Sequence, residues 1–175
     1  MTLDAGNGIR LTGIRRSDKD ALVGLLNNRA IYRTTLRIPH PYTGDNFESW
    51  YARHEEKVAQ QNEQETYWAI RDSHDQPIGG IGLSFSDGQA HRAEIGYWLG
   101  EPFWSKGIMT AAVGSLCRHS FEELGLAKIT AHVFSFNAAS ARVVEKCGFE
   151  LEGYLKRHFL KDGEYIDAKA YGLVR

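Results

Sequence analysis

Cysteine is scarce in this sequence and neither sign of charge is in surplus, and each shortage closes a set of possibilities. Only Cys117 and Cys147 occur among 175 residues; they are too few for a disulfide framework and lack the paired spacing of a metal site. Lys plus Arg total 21 against 22 for Asp plus Glu, a formal net charge of -1, so the basic excess usual in nucleic-acid binders is missing. No apolar run approaches the roughly 18–20 residues of a membrane-spanning helix, and Met1–Arg10 lacks the apolar centre of a signal peptide. The expectation is a cytoplasmic protein with neither a membrane nor a nucleic acid as partner. No internal repeat, low-complexity tract or long linker interrupts the chain, and residues 1–175 read as a single domain.

Several catalytic motifs are absent as well. There is no Gly-rich loop ending in Lys-Ser/Thr, and Gly80-Ile-Gly82 lacks the third glycine of a dinucleotide fingerprint. The seven histidines are scattered: His54-Glu55-Glu56-Lys57-Val58 has no second His for a zinc protease pattern, and no metal is expected. No Gly-x-Ser-x-Gly elbow occurs. Hydride transfer, P-loop phosphoryl transfer, zinc hydrolysis and serine hydrolysis all lose ground together.

What is present has a clear rhythm. Gly8–Gly13 reads as a strand, and Ser17-Asp18 as a cap for a helix with Leu22, Leu25 and Leu26 on one face. After a loop at Pro39–Thr43, Asp45 opens a helix bearing Phe47, Trp50, Tyr51, His54 and Val58, ending near Gln60–Glu65. Tyr67–Arg71 and Ile78–Phe85 read as a hairpin, Ser86–Gln89 as a turn and Ala93–Leu99 as a strand. The period then shifts to 3.6 residues from Met109 to Leu124, with Gly125 as a stop. Ile129, Ala131 and Val133 alternate as one face of a strand, Ala138–Cys147 is a short helix, and Phe149–Leu160 with Tyr165–Val174 form a hairpin about Asp162-Gly163. The order β-α-α-β-β-β-α-β-α-β-β is that of a mixed α/β domain, mostly antiparallel, with one strand-helix-strand crossover.

Chemistry concentrates at two strand-to-helix junctions. Leu99 through Thr110 ends a strand and starts a helix at or just after Gly107. The first amides of a helix lack internal partners and sit at the positive end of its dipole, where a pyrophosphate can bind. Gly107 would allow close approach and Lys106 adds a positive charge; the same residues also suit a plain strand-to-helix turn. At the second junction Asn137 can cap the helix that follows, with Ser140 and Val144 on the same side of it.

Taken together, Ala93–Leu99, Trp104–Thr110, Asn137–Phe149 and the ending Asp162–Asp167 resemble the GNAT superfamily of acetyl-CoA-dependent N-acetyltransferases. The closer likeness is to its RimJ/RimL-type branch, which includes N-terminal acetyltransferases of ribosomal proteins. The resemblance implies a mixed, mostly antiparallel sheet flanked by helices, and acetyl-CoA as co-substrate between the strands at Ala93–Leu99 and Lys128–Phe134. It implies pantetheine pairing with backbone near Trp98 and Leu99, pyrophosphate on the amides of Ser105, Lys106, Gly107, Ile108, Met109 and Thr110, and a bond from the Asn137 amide to the pantetheine arm. Trp104 and Met109 depart from the general superfamily pattern, which places Arg or Gln and a small residue there. Val144 stands where many members carry a tyrosine general acid. Ser140 is the nearest polar substitute, and in some RimL-like enzymes a serine there is the proposed acid.

The reaction would be direct attack of an amine on the thioester, needing a neutral amine, an oxyanion donor and a proton for the thiolate. A backbone N–H near Leu99 could stabilise the oxyanion and Ser140 could protonate the sulfur. Glu94, on the strand face of Gly96 and Trp98, is the candidate base, and would equally serve as a carboxylate paired with a neighbouring base. Cys117 on the apolar helix stripe and Cys147 before a helix stop read as structural thiols. Tyr32, Tyr42, Phe47, Trp50 and Tyr51 suit either an acceptor pocket or a packed helix pair, and Tyr165 and Asp167 are possible acceptor contacts by family position. A peptide N-terminal α-amine is the expected acceptor; a small-molecule amine such as a polyamine, aminoglycoside or amino acid is the alternative. Val144 keeps a non-catalytic acyl-CoA-binding module in view. No feature chooses between monomer and homodimer.

Overall fold

The computed structural model describes residues 2–59, 65–85 and 89–175. It has the expected mixed architecture, with two additional elements near the start. In chain order these are β1 (Thr2–Gly6), β2 (Ile9–Gly13), α1 (Lys19–Leu26), α2 (Arg29–Thr34), α3 (Gly44–Ala59), β3 (Glu65–Arg71), β4 (Pro77–Phe85) and β5 (Arg92–Leu99). Then follow α4 (Ile108–Glu122), β6 (Lys128–Phe134), α5 (Ala138–Lys146), β7 (Glu150–Lys161) and β8 (Glu164–Val174).

β1 and α2 are the elements that periodicity misses. β1 turns into β2 through Gly6-Asn7-Gly8, all three with positive φ, a conformation that Gly and Asn tolerate best. α2 is six residues long and is held by Asn28, whose side chain accepts from the amides of Ala30 (2.7 Å) and Ile31 (3.2 Å). Most of the turn expected at Ser86–Gln89, and of the segment Gln60–Glu65, lies outside the described residues.

The strands form one sheet in the order β1-β2-β3-β4-β5-β6-β8-β7. Every pairing is antiparallel except β5 with β6. One face of the sheet packs on α4 and α5 through Ile70, Leu83, Val113, Leu116, Ile129 and Val144. A second cluster, with Leu22, Ile31, Tyr42, Phe47 and Tyr51 from α1 to α3, packs against Trp98. Tyr42, Phe47 and Tyr51 are thus largely buried in a helix pair.

Asp18 corrects an expectation. It stands at the start of α1, but its carboxylate does not cap that helix. It accepts from the Arg15 amide at 2.8 Å and from both terminal nitrogens of Arg71, at 3.0 and 2.7 Å. Arg71 is 1% exposed and Asp18 4%, and Arg71 also donates to Thr12 Oγ1 (2.7 Å) and to the Asp75 carbonyl (3.0 Å). A buried guanidinium needs this saturation, because an unpaired charge inside costs several kcal/mol.

Two features position the site. β5 and β6 pair over only three residues, Arg92–Glu94 with Lys128–Thr130, and then part. β5 stays on β4 as far as Leu99 while β6 continues on β8 as far as Phe134, which opens a fork in the sheet. The β7–β8 hairpin, turning at Asp162-Gly163 with φ of 52° and 80°, reaches back to α2. There the Tyr32 hydroxyl binds the Asp162 carboxylate, and the Lys161 ammonium lies 3.8 Å from the centre of the Tyr32 ring while donating to the Tyr32 and Thr35 carbonyls.

Candidate active site

α4 starts directly after Gly107, where the sequence places it. Gly107 precedes the helix with φ 76°, and a Cβ placed there would meet no described atom within 4 Å. Ser105 also takes positive φ, at 60°. The amides of Ile108, Met109 and Thr110 precede the first intrahelical bond, from Ala111 N–H to the Gly107 carbonyl at 3.1 Å, so they are available to an anion. Side chains contribute little: Met109 is buried in the core, and the Lys106 ammonium turns back to the Pro102 carbonyl at 2.9 Å and lies over Phe103.

The fork edge differs from expectation in one respect. The Gly100 amide donates to the Ile78 carbonyl, and antiparallel pairs alternate in direction. With an unbroken register, Glu94, Gly96 and Trp98 therefore point their backbone groups at β4. Trp98 turns its backbone groups to β4, whereas Ile95, Tyr97 and Leu99 turn theirs away from it. The Leu99 carbonyl is itself taken by the Trp104 indole N–H at 2.7 Å, leaving the Leu99 amide for a ligand. Beyond the last pair with β6, the open edge of β5 therefore presents the backbone of Tyr97 and the Leu99 N–H.

Across the fork, α5 brings Asn137 and Ser140 to the cleft. Asn137 Oδ1 caps the helix by accepting the Ser140 amide at 3.1 Å, which leaves its NH2 group for a second partner. Ser140 Oγ is 2.9 Å from the Tyr97 hydroxyl. Burial pushes the Tyr97 pKa up to about 12, so this hydroxyl stays protonated at neutral pH. Val144, one turn further, is fully buried. Tyr97 is a residue that sequence reasoning missed as a functional group: its alternation with Ile95 and Leu99 marks it as core-facing, and nothing local announces a partner on α5.

These groups open into a cleft of about 1160 Å³. Its walls include Trp50 and His54 of α3, Tyr67, Trp98, Glu94, His132, and His158 with Phe159 from the final hairpin. Trp50 and His54 stack with centroids 5.2 Å apart and 6° between planes. Glu94 pairs with His132, Oε1 to Nδ1 at 3.0 Å, so the expected partnership with a neighbouring base is present. Tyr165 and Asp167 do not line the cleft. Tyr165 lies under Arg157, and Asp167 accepts from the Tyr154 hydroxyl (2.9 Å) and the Arg157 amide (2.7 Å), holding the irregular stretch of β7. Burial raises the Cys117 pKa to about 12 and raises that of Cys147, which disfavours the thiolate form of both. No cluster of metal-ligating side chains occurs among the described residues.

The double role read for Asn137 gives a prediction. Asn137→Ala should lose about 1 kcal/mol of stability with the cap and also weaken acetyl-CoA binding. Asn137→Asp, which keeps a capping oxygen but loses the NH2 donor, should recover stability in thermal melts more than it recovers binding in calorimetry. Equal recovery of both would leave Asn137 as a cap alone.

A parted pair of strands beside an exposed helix start is the arrangement of an acyl-CoA-handling domain. The chain matches the model of the acetyltransferase (GNAT) domain over residues 9–150, and it belongs to that family. It is 30% identical over 147 residues to the SPbeta prophage-derived N-acetyltransferase YokL of Bacillus subtilis, covering 83% of this chain and 78% of that one. It is 30% identical over 104 residues to the Escherichia coli [ribosomal protein uS5]-alanine N-acetyltransferase, 58% of this chain and 53% of that one. The crystal structure of spermidine N-acetyltransferase from Vibrio cholerae, in complex with CoA and spermine, superposes with a TM-score of 0.81 at 26% identity, covering 97% and 96% of the two chains. The chain spans about half the length, 55% and 57%, of two further Bacillus relatives.

Proposed function

We propose that this protein transfers the acetyl group of acetyl-CoA to the α-amine at a protein or peptide N-terminus, in the manner of the RimJ/RimL-type branch. The observation that carries this reading is the fork beyond Glu94 and Thr130, with the open amides of Ile108–Thr110 at one end and Ser140 beside it. Acetyl-CoA lies along the fork with its pyrophosphate on the α4 amides and its pantetheine on the β5 edge and the Asn137 NH2. The acceptor nitrogen attacks the thioester carbon, the Leu99 amide steadies the oxyanion, and Ser140, supported by Tyr97, protonates the departing sulfur. Glu94 serves the removal of the acceptor's proton. An α-amine titrates near 8, against about 10.4 for a lysine-type amine, and so demands less of a base.

Among described residues Glu94 is the only carboxylate lining the cleft, where Arg53 and three imidazoles also stand. A polycation is poorly served by such walls, whereas a peptide N-terminus needs a single ammonium site. The likeness to a spermidine N-acetyltransferase keeps the polyamine as the second reading. CoA release with an alanine-initiated peptide, spermidine and free alanine decides between them. Preferred turnover of the peptide supports the proposal, preferred turnover of spermidine replaces it, and acetyl-CoA binding without turnover of any acceptor makes the chain a binding module.

Gly107→Val should weaken acetyl-CoA binding in calorimetry at least tenfold, because a branched side chain at φ 76° is strained and would crowd the phosphates. Binding as tight as that of the parent would displace the pyrophosphate from the start of α4.

A further inference from the structure

His132 has no role in the scheme above, yet its placement is specific. It lies on β6 two residues past Thr130, the last residue paired with β5. Ile129, Ala131 and Val133 point into the main core, so His132 shares the opposite face with Glu94. Its Nδ1 is 3.0 Å from Glu94 Oε1, with side-chain exposures of 24% and 46%, and its ring centre is 5.0 Å from that of His158. All three side chains line the cleft beside the fork.

Resting on the acetyl-transfer reading, we infer that His132 Nε2 is the atom that takes the proton from the acceptor amine, and that Glu94 is the positioning residue holding that imidazole. An ionised carboxylate only accepts hydrogen bonds. In the neutral ring, therefore, the proton sits on Nδ1, facing Glu94, and Nε2 keeps its lone pair. No described residue engages Nε2. The titratable groups facing His132 are Glu94 on β5 and His158 on β7; β8 sets Ala170 beside it, and β4 sets Ser84 beside Glu94. The hydrogen bond to Glu94, with its charge, holds the His132 pKa above the ordinary imidazole value against the opposing effect of burial.

The step balances. The acceptor ammonium gives one proton to Nε2, and the freed nitrogen bonds to the carbonyl carbon. The C–S bond breaks with its electron pair on sulfur, which takes a proton as the nitrogen sheds its second. One proton is released overall, and it leaves His132 for solvent past the exposed imidazole of His158.

The test is kcat/KM against pH for the parent, His132→Gln and Glu94→Gln with an alanine-initiated peptide, alongside 15N spectra of the His132 ring and calorimetry with acetyl-CoA. His132→Gln should bind acetyl-CoA as the parent does and lose roughly 10–100-fold in kcat/KM, together with the acid-side ionisation. Glu94→Gln should keep that ionisation but move it to lower pH, and the spectra should show the same downward move in the His132 titration. In the parent the neutral ring should carry its proton on Nδ1. A neutral ring protonated on Nε2, a His132 titration unmoved by Glu94→Gln, or a His132→Gln variant with the parental rate and pH limb overturns the assignment. Failure of the parent to bind acetyl-CoA would instead overturn the acetyl-transfer reading itself.

Discussion

Asp18→Ala is expected to remove about 3–5 kcal/mol of folding stability, the usual cost of leaving one partner of a buried ion pair uncompensated. The pair ties β2, β3 and the turn before α1 into one unit through Thr12, Arg71 and Asp18. For a chain of this size each kcal/mol shifts the melting temperature by about 2–4 °C, so calorimetric melting should show a fall of roughly 6–20 °C. Asp18→Asn should fall less, because the amide oxygen still accepts from Arg71. The double change Asp18→Leu with Arg71→Met should recover much of the loss, since a buried ion pair replaced by packed apolar groups is often neutral. A fall under about 2 °C in Asp18→Ala would show that water reaches the Arg71 guanidinium and that the pair contributes little.

Ser140→Ala is expected to lower kcat 10–100-fold while leaving acetyl-CoA affinity close to that of the parent, which is the signature of an interaction made in the transition state alone. Both hydroxyls of the Tyr97–Ser140 pair stay protonated over the working range, since burial puts Tyr97 at about 12 and serine does not titrate. Neither substitution should therefore delete an ionisation from the pH profile, in contrast to a change at the base. Tyr97→Phe keeps the ring and its packing but removes the partner 2.9 Å from Ser140 Oγ; a smaller fall in kcat is expected, and little further fall when it is added to Ser140→Ala. Parental kcat in Ser140→Ala would leave the thiolate to be protonated by water.

What could be read from the residues was local in origin. The helix start after Gly107 and the Asn137 cap depend on chemistry within four residues, and both stand where expected. The same local logic extends to β1, whose Asn7-Gly8 turn is a hairpin signal in plain view but falls in too short an apolar context to register. α2 has six residues, too few for a period to declare itself. The fork was less accessible, because it exists only where β5 stops pairing with β6 after three residues. Alternation correctly assigns side chains of β5 to faces but says nothing of which backbone edge each residue turns outward. The resemblance groups Trp98 with Leu99, although β4 occupies the backbone of the first and the Trp104 indole the carbonyl of the second. His132 is visible as the odd residue in an alternating apolar strand; its meaning comes from Glu94, 38 positions earlier, and only the parallel register brings the two together.

The fork has a mechanical side. It is a seam, with β1 to β5 as one plate and β6, β8 and β7 as the other, stitched in the sheet by three residue pairs. The α2–hairpin clasp at Tyr32, Lys161 and Asp162 is a rivet at a second point. A molecule lying in the fork spans the seam and becomes part of the fastening. Mass action sets its strength: a ligand at 100 times its Kd adds about 2.7 kcal/mol to the folded state, which is comparable to the loss of a good part of the Asp18–Arg71 tie. A co-substrate bound there would in this sense also be a structural member, bridging the line along which the two plates part.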